Sequence, residues 1–417
     1  MAQVARQHPS NLLTIISSRP HAALLAWASF DLANTFFAVA MITFYFPLWL
    51  IEDRGVPELL FSVALSGSMI GVALLMPICG AMADATGQRM RYLRWTSLVC
   101  IGLTFLLGWV DHVGLALGLF ALANAAYQLG TVFYDALLRQ VALKGRLGQA
   151  SGFGSAFGYL GSMVGLSFLW PFVQSAGYHA AVIPSAIYFL LFALPSFLLI
   201  RDPAPTSSVL PRKTAREAIR QLGKTLRQSR TIPGVWWFFL ASFLSLNAIN
   251  TILIFMAIYT KRVLGFSDSE MIRFFLVGQG SAVLGALAGA RVIDRLGAHR
   301  TLGFIWLGWT VALALAAWLV NPAWLWVIGP VIGCCLGPTW ATSRVLLIQL
   351  CPKHQTAEFL GLAGLLSRVS SIIGPLIWGV IVLDPTQYRQ AVWVLVGLMV
   401  MGVAVLQKVP KTKEVAG

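Results

Sequence analysis

Charged residues are scarce in this sequence. They make up 11% of its 417 residues, and only 15 residues are Asp or Glu. Soluble domains carry about 25% charged residues, so most of this surface must face something other than water. Apolar residues reach 58%, and the length leaves room for about twelve spans of ~20 residues with short connections. The composition predicts an integral membrane protein and leaves no room for a large soluble domain.

Cysteine and histidine are also rare, with five and six residues. The cysteines lie in or beside apolar runs without a CxxC or Cys/His spacing, so we expect neither a disulfide framework nor a metal site. No phosphate-binding loop follows a strand, and no convergent set of Ser, His or paired carboxylates points to an enzyme. We therefore expect no cofactor and no catalytic residues.

Twelve apolar runs, bounded by charged or turn residues, predict twelve transmembrane helices. Their expected bounds are 22–51, 59–82, 93–110, 113–138, 150–174, 180–200, 233–260, 270–292, 301–320, 323–350, 357–383 and 388–407. The polar stretch 201–231 separates an N-terminal six-helix bundle (1–200) from a C-terminal one (232–417). This basic linker is expected to hold a short amphipathic helix on the membrane surface or to be a solvated chain.

The basic residues are distributed unevenly between the two sides of the predicted membrane domain. Most of them lie in the loops after even-numbered spans, which places those loops and both termini in the cytoplasm, with the cell (inner) membrane as the expected location. The formal charge of +15 could also suggest nucleic acid, but the basic residues sit in short loops between spans. The expected partners are the lipid bilayer and a small-molecule substrate, and the expected oligomeric state is a monomer.

A loop signature occurs in both halves. Its members are Gly80, Asp84, Gly87 and Arg89 after the second span, and Asp294, Arg295 and Gly297 after the eighth. Asp84 and Asp294 are 210 positions apart, about half the chain. Gly80 is expected to let two helices approach, Asp84 to cap the next helix, and Gly87 to turn the chain. Such internal repeats are typical of secondary transporters that form a binding site between the repeats.

The loop from Gly80 to Arg91 resembles the diagnostic signature of the major facilitator superfamily. The segments 27–35, 133–138, 151–161, 341–347, 357–362 and 374–375 are similar to the branch that includes vacuolar amino-acid efflux permeases and their bacterial relatives. The resemblance implies an all-α membrane protein with twelve transmembrane helices in two pseudo-symmetric six-helix bundles. It also implies transport of an amino acid or similar small polar solute. Asp135 stands where the branch usually has Asn, which leaves that position's inherited role open.

Polar residues of the first and seventh spans are candidates for substrate or proton binding. Asp31 and Asn34 on the first span have Asn247 and Asn250 as repeat partners on the seventh. A charge within the membrane costs roughly 2.5–3.5 kcal/mol, so Asp31 is expected to line a central cavity and to bind a proton or a cationic part of the substrate. The alternative is that Asp31 only hydrogen-bonds a neighbouring helix.

Charged residues of the later spans are candidates for anion binding and gating. Arg368, midway along span eleven, is expected to receive an anionic group such as a carboxylate, or to pair with Asp31 or Glu358. Asp135 and Arg344 lie at matching depths in opposite halves, so they are expected to close the cytoplasmic gate as a salt bridge when the outer side is open. Asp135 could instead pair with Arg139 at i+4. Glu358 is expected to border or cap its helix.

These features together predict a secondary transporter that works by alternating access of two six-helix halves, with the proton as one candidate coupling ion. Two alternatives stay open. One is an exporter of lipophilic compounds. The other is a membrane receptor or scaffold that keeps a transporter fold without transporting.

Overall fold

The computed structural model describes residues 20–141, 147–202, 220, 223–224, 226–319, 321–352 and 356–410. At a few helical positions, which include Asp84, Arg139 and Glu358, only the backbone is described. The side-chain roles expected for these three residues therefore lie outside the described part of the chain. The same holds for most of the linker helix expected within 201–231.

Twelve long helices make up most of the described chain. They are α1 Pro20–Phe37, α2 Glu58–Thr86, α3 Arg89–Leu107, α4 Val113–Val141, α5 Leu147–Ala176, α6 Val182–Leu199, α7 Val235–Leu264, α8 Asp268–Leu296, α9 Ala298–Trp318, α10 Leu325–Leu350, α11 Thr356–Ile381 and α12 Tyr388–Leu406. Eleven spans within the described residues are long and apolar enough to cross a membrane. The exception is α3, whose first two turns carry Arg89, Arg91 and Arg94. The predicted all-α membrane fold is confirmed.

The first span is not a single regular helix. After α1, the backbone widens into a π-helical segment over Ala38–Thr43, continues as a short helix over Tyr45–Leu48, and widens again over Trp49–Asp53. The aromatic residues at the break, Phe44 and Tyr45, are fully buried. π-Helical turns recur at functional sites because they re-aim side chains, and several residues of the first π-helical segment line the cavity described below.

The small residues of α5 allow close packing against α1. A Cβ atom at Gly161 would overlap the backbone oxygen of Leu32, and one at Gly158 would lie 2.8 Å from Asp31 Oδ2. Glycine at these positions is what lets the two helices approach, because any side chain would push them apart. The contact fixes α1, and with it Asp31, against the N-terminal bundle.

The two six-helix halves meet mainly through α2 against α11 and α5 against α8. We call the side where α1 begins and α12 ends the terminal face, and the opposite side the distal face. On α2 and α11 the contact lies toward the distal face, where Ser66 Oγ donates to Ile372 O at 2.9 Å and Gly379 packs against Ser62. The halves are therefore closed at the distal face.

The repeated loop signature is partly as expected. Gly87 follows the last residue of α2 in the left-handed region (φ +66°), which glycine adopts readily, and the chain turns there. Gly80 does not mark a close approach here, since a Cβ atom there would meet no described heavy atom within 4 Å. At the start of α3, Asp202 accepts from the backbone N–H of Met90 at 2.6 Å and of Arg91 at 2.9 Å. The end of the N-terminal bundle thus caps α3.

In the second copy of the signature, Asp294 and Arg295 are exposed at the end of α8. Gly297 follows with φ +80° and starts α9. In the first copy, Arg89 Nη1 donates to Ala136 O on α4 at 3.3 Å. The basic residues of both loops lie at the terminal face, where the helices of each bundle are joined.

Candidate functional site

A cavity of about 550 Å³ lies between the two halves. Its volume falls in the range of ordinary small-molecule sites. The part toward the distal face is apolar and is lined by Ile42, Leu65, Met69, Phe274, Phe275 and Ile332. Polar side chains gather at mid-depth, among them Thr35, Tyr127, Gln128, Asn250, Gln279 and Ser371. Both bundles contribute to both parts, so a bound molecule would contact both halves.

Asn250 on α7 is one predicted site residue that lines this cavity. Its Nδ2 donates to Ser371 Oγ at 2.9 Å and approaches Ser370 Oγ at 3.4 Å. These hydrogen bonds orient the amide from α11 of the same bundle. Gln279 on α8 also lines the cavity, and its Oε1 accepts no hydrogen bond from the described residues. An amide oxygen left in that state can accept from a ligand.

Asp31 lies about one turn from the cavity-lining Thr35, toward the terminal face. It is half-buried, and its carboxylate packs against Gly158 of α5. Tyr134 of α4 lies beside it. The Tyr134 ring stacks on Trp27 with 4.5 Å between the centroids, and its backbone oxygen accepts from Trp27 Nε1 at 3.2 Å. Packing between α1 and α4 therefore fixes the position of this carboxylate at the polar end of the cavity.

Arg368 reaches across the interface between the halves. Its Nη1 donates to Gln128 Oε1 at 2.5 Å and its Nη2 donates to Thr131 Oγ1 at 2.7 Å, both on α4. The expected direct pair with Asp31 is not formed among the described side chains, and a pair with Glu358 lies outside them. The guanidinium stands next to the cavity through Gln128, which lines it.

Charges of opposite sign face each other at this level. The N-terminal half contributes Asp31 and Asp135, which are close enough for their charges to repel each other. The C-terminal half contributes Arg368 and Arg344, and the positive charges of both attract the Asp135 carboxylate. Asp135 and Arg344 are exposed and form no ion pair with each other among the described side chains. The expected gate would form when the terminal face is closed, whereas in this structure the halves are closed at the distal face. The gate therefore stays a prediction.

Two predicted site residues do not line the cavity. Asn247 Oδ1 accepts from the backbone N–H of Gly374 at 3.0 Å, and its Nδ2 donates to Phe243 O at 2.8 Å. Its amide thus ties α7 to α11, and Asn247 is not part of the cavity lining. Asn34 is 7% exposed and is not part of the cavity lining.

A polar network closes the distal face, and sequence reasoning missed it. Glu58 is buried at the start of α2, where it accepts from Trp378 Nε1 at 2.7 Å and from the Tyr388 hydroxyl. Arg262 Nη1 lies 3.7 Å from Glu58 Oε1, and its Nε donates to Glu52 Oε1 at 2.6 Å. Because Glu52 and Glu58 belong to one half and their three partners to the other, this distal clamp holds the halves together.

A second contact reinforces the distal clamp. The Tyr178 hydroxyl of the N-terminal half donates to Asp268 Oδ1 at 2.6 Å, and Lys261 contacts both of these groups. One sequence signal could have revealed the network. Cations are disfavoured on the side opposite the basic loops. Lys261 and Arg262 lie on that side at the end of α7, which indicates that acidic partners stand near them.

The sequence also matches a known family. The pattern described as "Major Facilitator Superfamily" fits residues 32–375, and again residues 274–416. The chain belongs to the major facilitator superfamily. The two overlapping matches cover nearly the whole described structure. Membership indicates a membrane transporter for a small molecule and not an enzyme, in agreement with the prediction.

Several individual proteins are similar to this chain. An Aquifex aeolicus (strain VF5) protein described as "Uncharacterized protein" is 27% identical over 362 residues, which are 85% of this chain and 88% of that protein. The "Uncharacterized MFS-type transporter YxiO" of Bacillus subtilis (strain 168) is 23% identical over 421 residues, with 93% and 94% coverage. Autophagy-related protein 22-2 of Sclerotinia sclerotiorum is 27% identical over 246 residues, but these are only 51% of this chain and 36% of that protein. The narrower branch assignment therefore stays a prediction.

Solved structures agree on the fold. The crystal structure of the nucleoside transporter NupG matches with a TM-score of 0.76 at 14% identity, over 93% of this chain and 100% of that one. At this identity the similarity concerns only the fold. Within the described residues no group of three or more His, Cys, Asp or Glu is placed to hold a metal ion.

Proposed function

We propose that this transporter carries an amino acid or a similar small polar solute by alternating access. The observation that supports it best is the charge arrangement beside the cavity. Asp31 and Asp135 stand on one half, and Arg368 and Arg344 on the other. A zwitterion placed between them would direct its ammonium group to the carboxylates and its carboxylate to a guanidinium. Each half would then hold one end of the solute.

The assigned roles follow from position. Arg368 receives the anionic group, because its Nε is buried and has no acceptor among the described residues. Asn250 orients the solute by hydrogen bonding from α7. Asp31 binds either the cationic group or a coupling proton, since a carboxylate near mid-membrane can serve both purposes. A proton that carries one charge through the membrane would supply about 2.3 kcal/mol per 100 mV.

The test is a flux screen on protein reconstituted in liposomes. A panel of amino acids and other small metabolites is offered with and without a pH gradient, and uptake is followed by mass spectrometry. We expect at least one zwitterionic solute to accumulate with the wild type. Arg368→Gln should lose this accumulation, while Asp111→Asn, which removes an exposed carboxylate of the Arg54–Asp111 pair within one half, should retain it. Flux without any preference for zwitterions would contradict the proposal.

The lining of the distal part of the cavity favours a second candidate function. Its apolar side chains, such as Phe274 and Phe275, would suit a lipophilic compound, which would make the protein an exporter of such compounds. The two functions differ in whether transport needs the charge of Arg368. A lipophilic cargo should be transported equally well by Arg368→Gln, whereas a zwitterion should not.

We also propose that the protein lies in the cell membrane with its terminal face toward the cytoplasm. Most of the described basic residues lie at or near helix ends on that face, among them Arg89, Arg91, Arg295 and Arg300, and fewer lie at the distal face. This asymmetry is the pattern that sets membrane orientation. Cysteines introduced at exposed loop positions should react with an impermeant thiol reagent in intact cells only at the distal face.

A further inference from the structure

The charge and the hydrogen-bond donors of Arg368 are only partly satisfied at its present position. Its Nη1 and Nη2 donate to Gln128 and Thr131, which are neutral, and its buried Nε donates to no described residue. A carboxylate carries the opposite charge and can accept two parallel N–H bonds from one guanidinium, which adds both energy and geometric specificity. The present position is therefore one of several that the side chain could occupy, and a carboxylate within reach would offer a better one.

Such a carboxylate lies on the same face of α4. Gln128, Thr131 and Asp135 are spaced at i, i+3 and i+7, so their side chains form a row along one side of the helix. At 1.5 Å per residue, Asp135 follows Thr131 by about 6 Å toward the terminal face. Asp135 is exposed, and Arg368 is one of the two cations that act on it. The row therefore ends in a charged acceptor beyond the two neutral ones.

We propose that Gln128, Thr131 and Asp135 form an acceptor row for Arg368, and that Arg368 moves along it to Asp135 when the terminal face closes. Gln128 and Thr131 are then positioning residues, which hold the guanidinium beside the cavity while the terminal face is open. The required shift is about one helical turn, a step size that packed elements make when domains rotate past each other. The new ion pair stabilises the closed terminal face.

This assignment names Arg368 as the principal partner of Asp135, in place of Arg344. Arg344 lies on α10 near the terminal end of that helix. Arg368 already spans the interface, so closure requires it only to change acceptors. The role of this movement of Arg368 in transport rests on the proposed function, but the movement itself can be measured without any solute.

The experiment measures distances between spin labels in solute-free protein in lipid nanodiscs. Labels replace Trp95 on α3 and Phe304 on α9, which are 63% and 62% exposed near the terminal face in opposite halves. All variants carry Arg262→Met, which weakens the distal clamp and so populates the closed terminal face. Asp135→Asn should reduce the short-distance fraction by about fivefold or more. Asp111→Asn, the matched loss of a carboxylate within one half, should leave it unchanged.

Charge reversal identifies the partner. Asp135→Arg alone should remove the short distances, and Asp135→Arg with Arg368→Asp should restore them. The proposal is overturned if Asp135→Asn behaves as Asp111→Asn does, or if Arg344→Asp restores the short distances and Arg368→Asp does not. The proposal is also contradicted if the Arg262→Met protein without further substitutions shows no short-distance fraction, because no state with a closed terminal face then forms. None of these outcomes depends on which solute is transported, so failure here and failure of the proposed function are separate.

Discussion

Replacing Arg262 by Met should open the distal face. The substitution keeps the length of the side chain but removes the charge that joins Glu52 and Glu58 of the other half. Glu58 would keep its hydrogen bonds from Trp378 and Tyr388, so its carboxylate would remain partly satisfied. The distal clamp would lose its only described contact between a cation of one half and two carboxylates of the other.

The size of the effect follows from burial. Breaking a fully buried ion pair costs about 3–5 kcal/mol, and an exposed pair contributes about 0.2–1 kcal/mol. The Arg262 side chain is 33% exposed, that of Glu58 is 2% exposed, and they stand 3.7 Å apart, so the effect should lie between these limits. We expect the closed distal face to lose about 1–2 kcal/mol, which is roughly a 5- to 30-fold change in the ratio of the two states.

The assay follows the distance between spin labels at the distal face. Trp109 and Trp318 are 72% and 74% exposed at the distal ends of α3 and α9, one in each half. The long-distance fraction should rise in Arg262→Met. The control is Arg54→Met, whose side chain is similarly exposed (35%) but pairs with Asp111 inside one half. Equal distance distributions in the two variants would refute the role of the clamp.

Three further predictions concern packing, capping and coupling. Gly161→Ala should lower the melting temperature by the equivalent of about 1–3 kcal/mol, because its Cβ would overlap a backbone oxygen of α1, whereas Gly118→Ala has open space and should be neutral or stabilising. Asp202→Ala removes the cap of α3 and should cost about 1 kcal/mol in the same thermal assay, while a melting temperature equal to the wild type would show that the cap is dispensable. Asp31→Asn should abolish the response of solute flux to a pH gradient if Asp31 carries the proton, and should weaken solute binding at every pH if it holds the ammonium group. Unchanged flux in both respects would remove Asp31 from the mechanism.

The fold could be predicted from the sequence because its main determinant is local. A run of about twenty apolar residues must form a helix in a bilayer, since backbone groups have no other partners there. The π-helical segments Ala38–Thr43 and Trp49–Asp53 could not be foreseen, because widening a helix leaves its hydropathy unchanged.

The site was less predictable because its contacts join residues far apart in sequence. Asp31, Arg368 and Asn250 were found because polar groups are rare in apolar spans. Their partners were not found, since Gln128 and Thr131 are ordinary polar residues whose importance depends on facing Arg368 across the interface. Spacing alone also cannot tell whether an Asn at a repeat position faces a cavity or, as Asn247 does, a neighbouring backbone. These choices depend on helix rotation.

The central claim is that solute passes through the space between the halves as the distal contact opens. A disulfide across that contact tests it most directly. A Cβ atom at Gly379 would lie 3.2 Å from Ser62 Cβ, close to the separation that a disulfide needs, so Ser62→Cys with Gly379→Cys in a variant without native cysteines should cross-link α2 to α11. Oxidation should stop metabolite flux into proteoliposomes, and reduction should restore it. Flux that continues at full rate through the cross-linked protein would contradict the account.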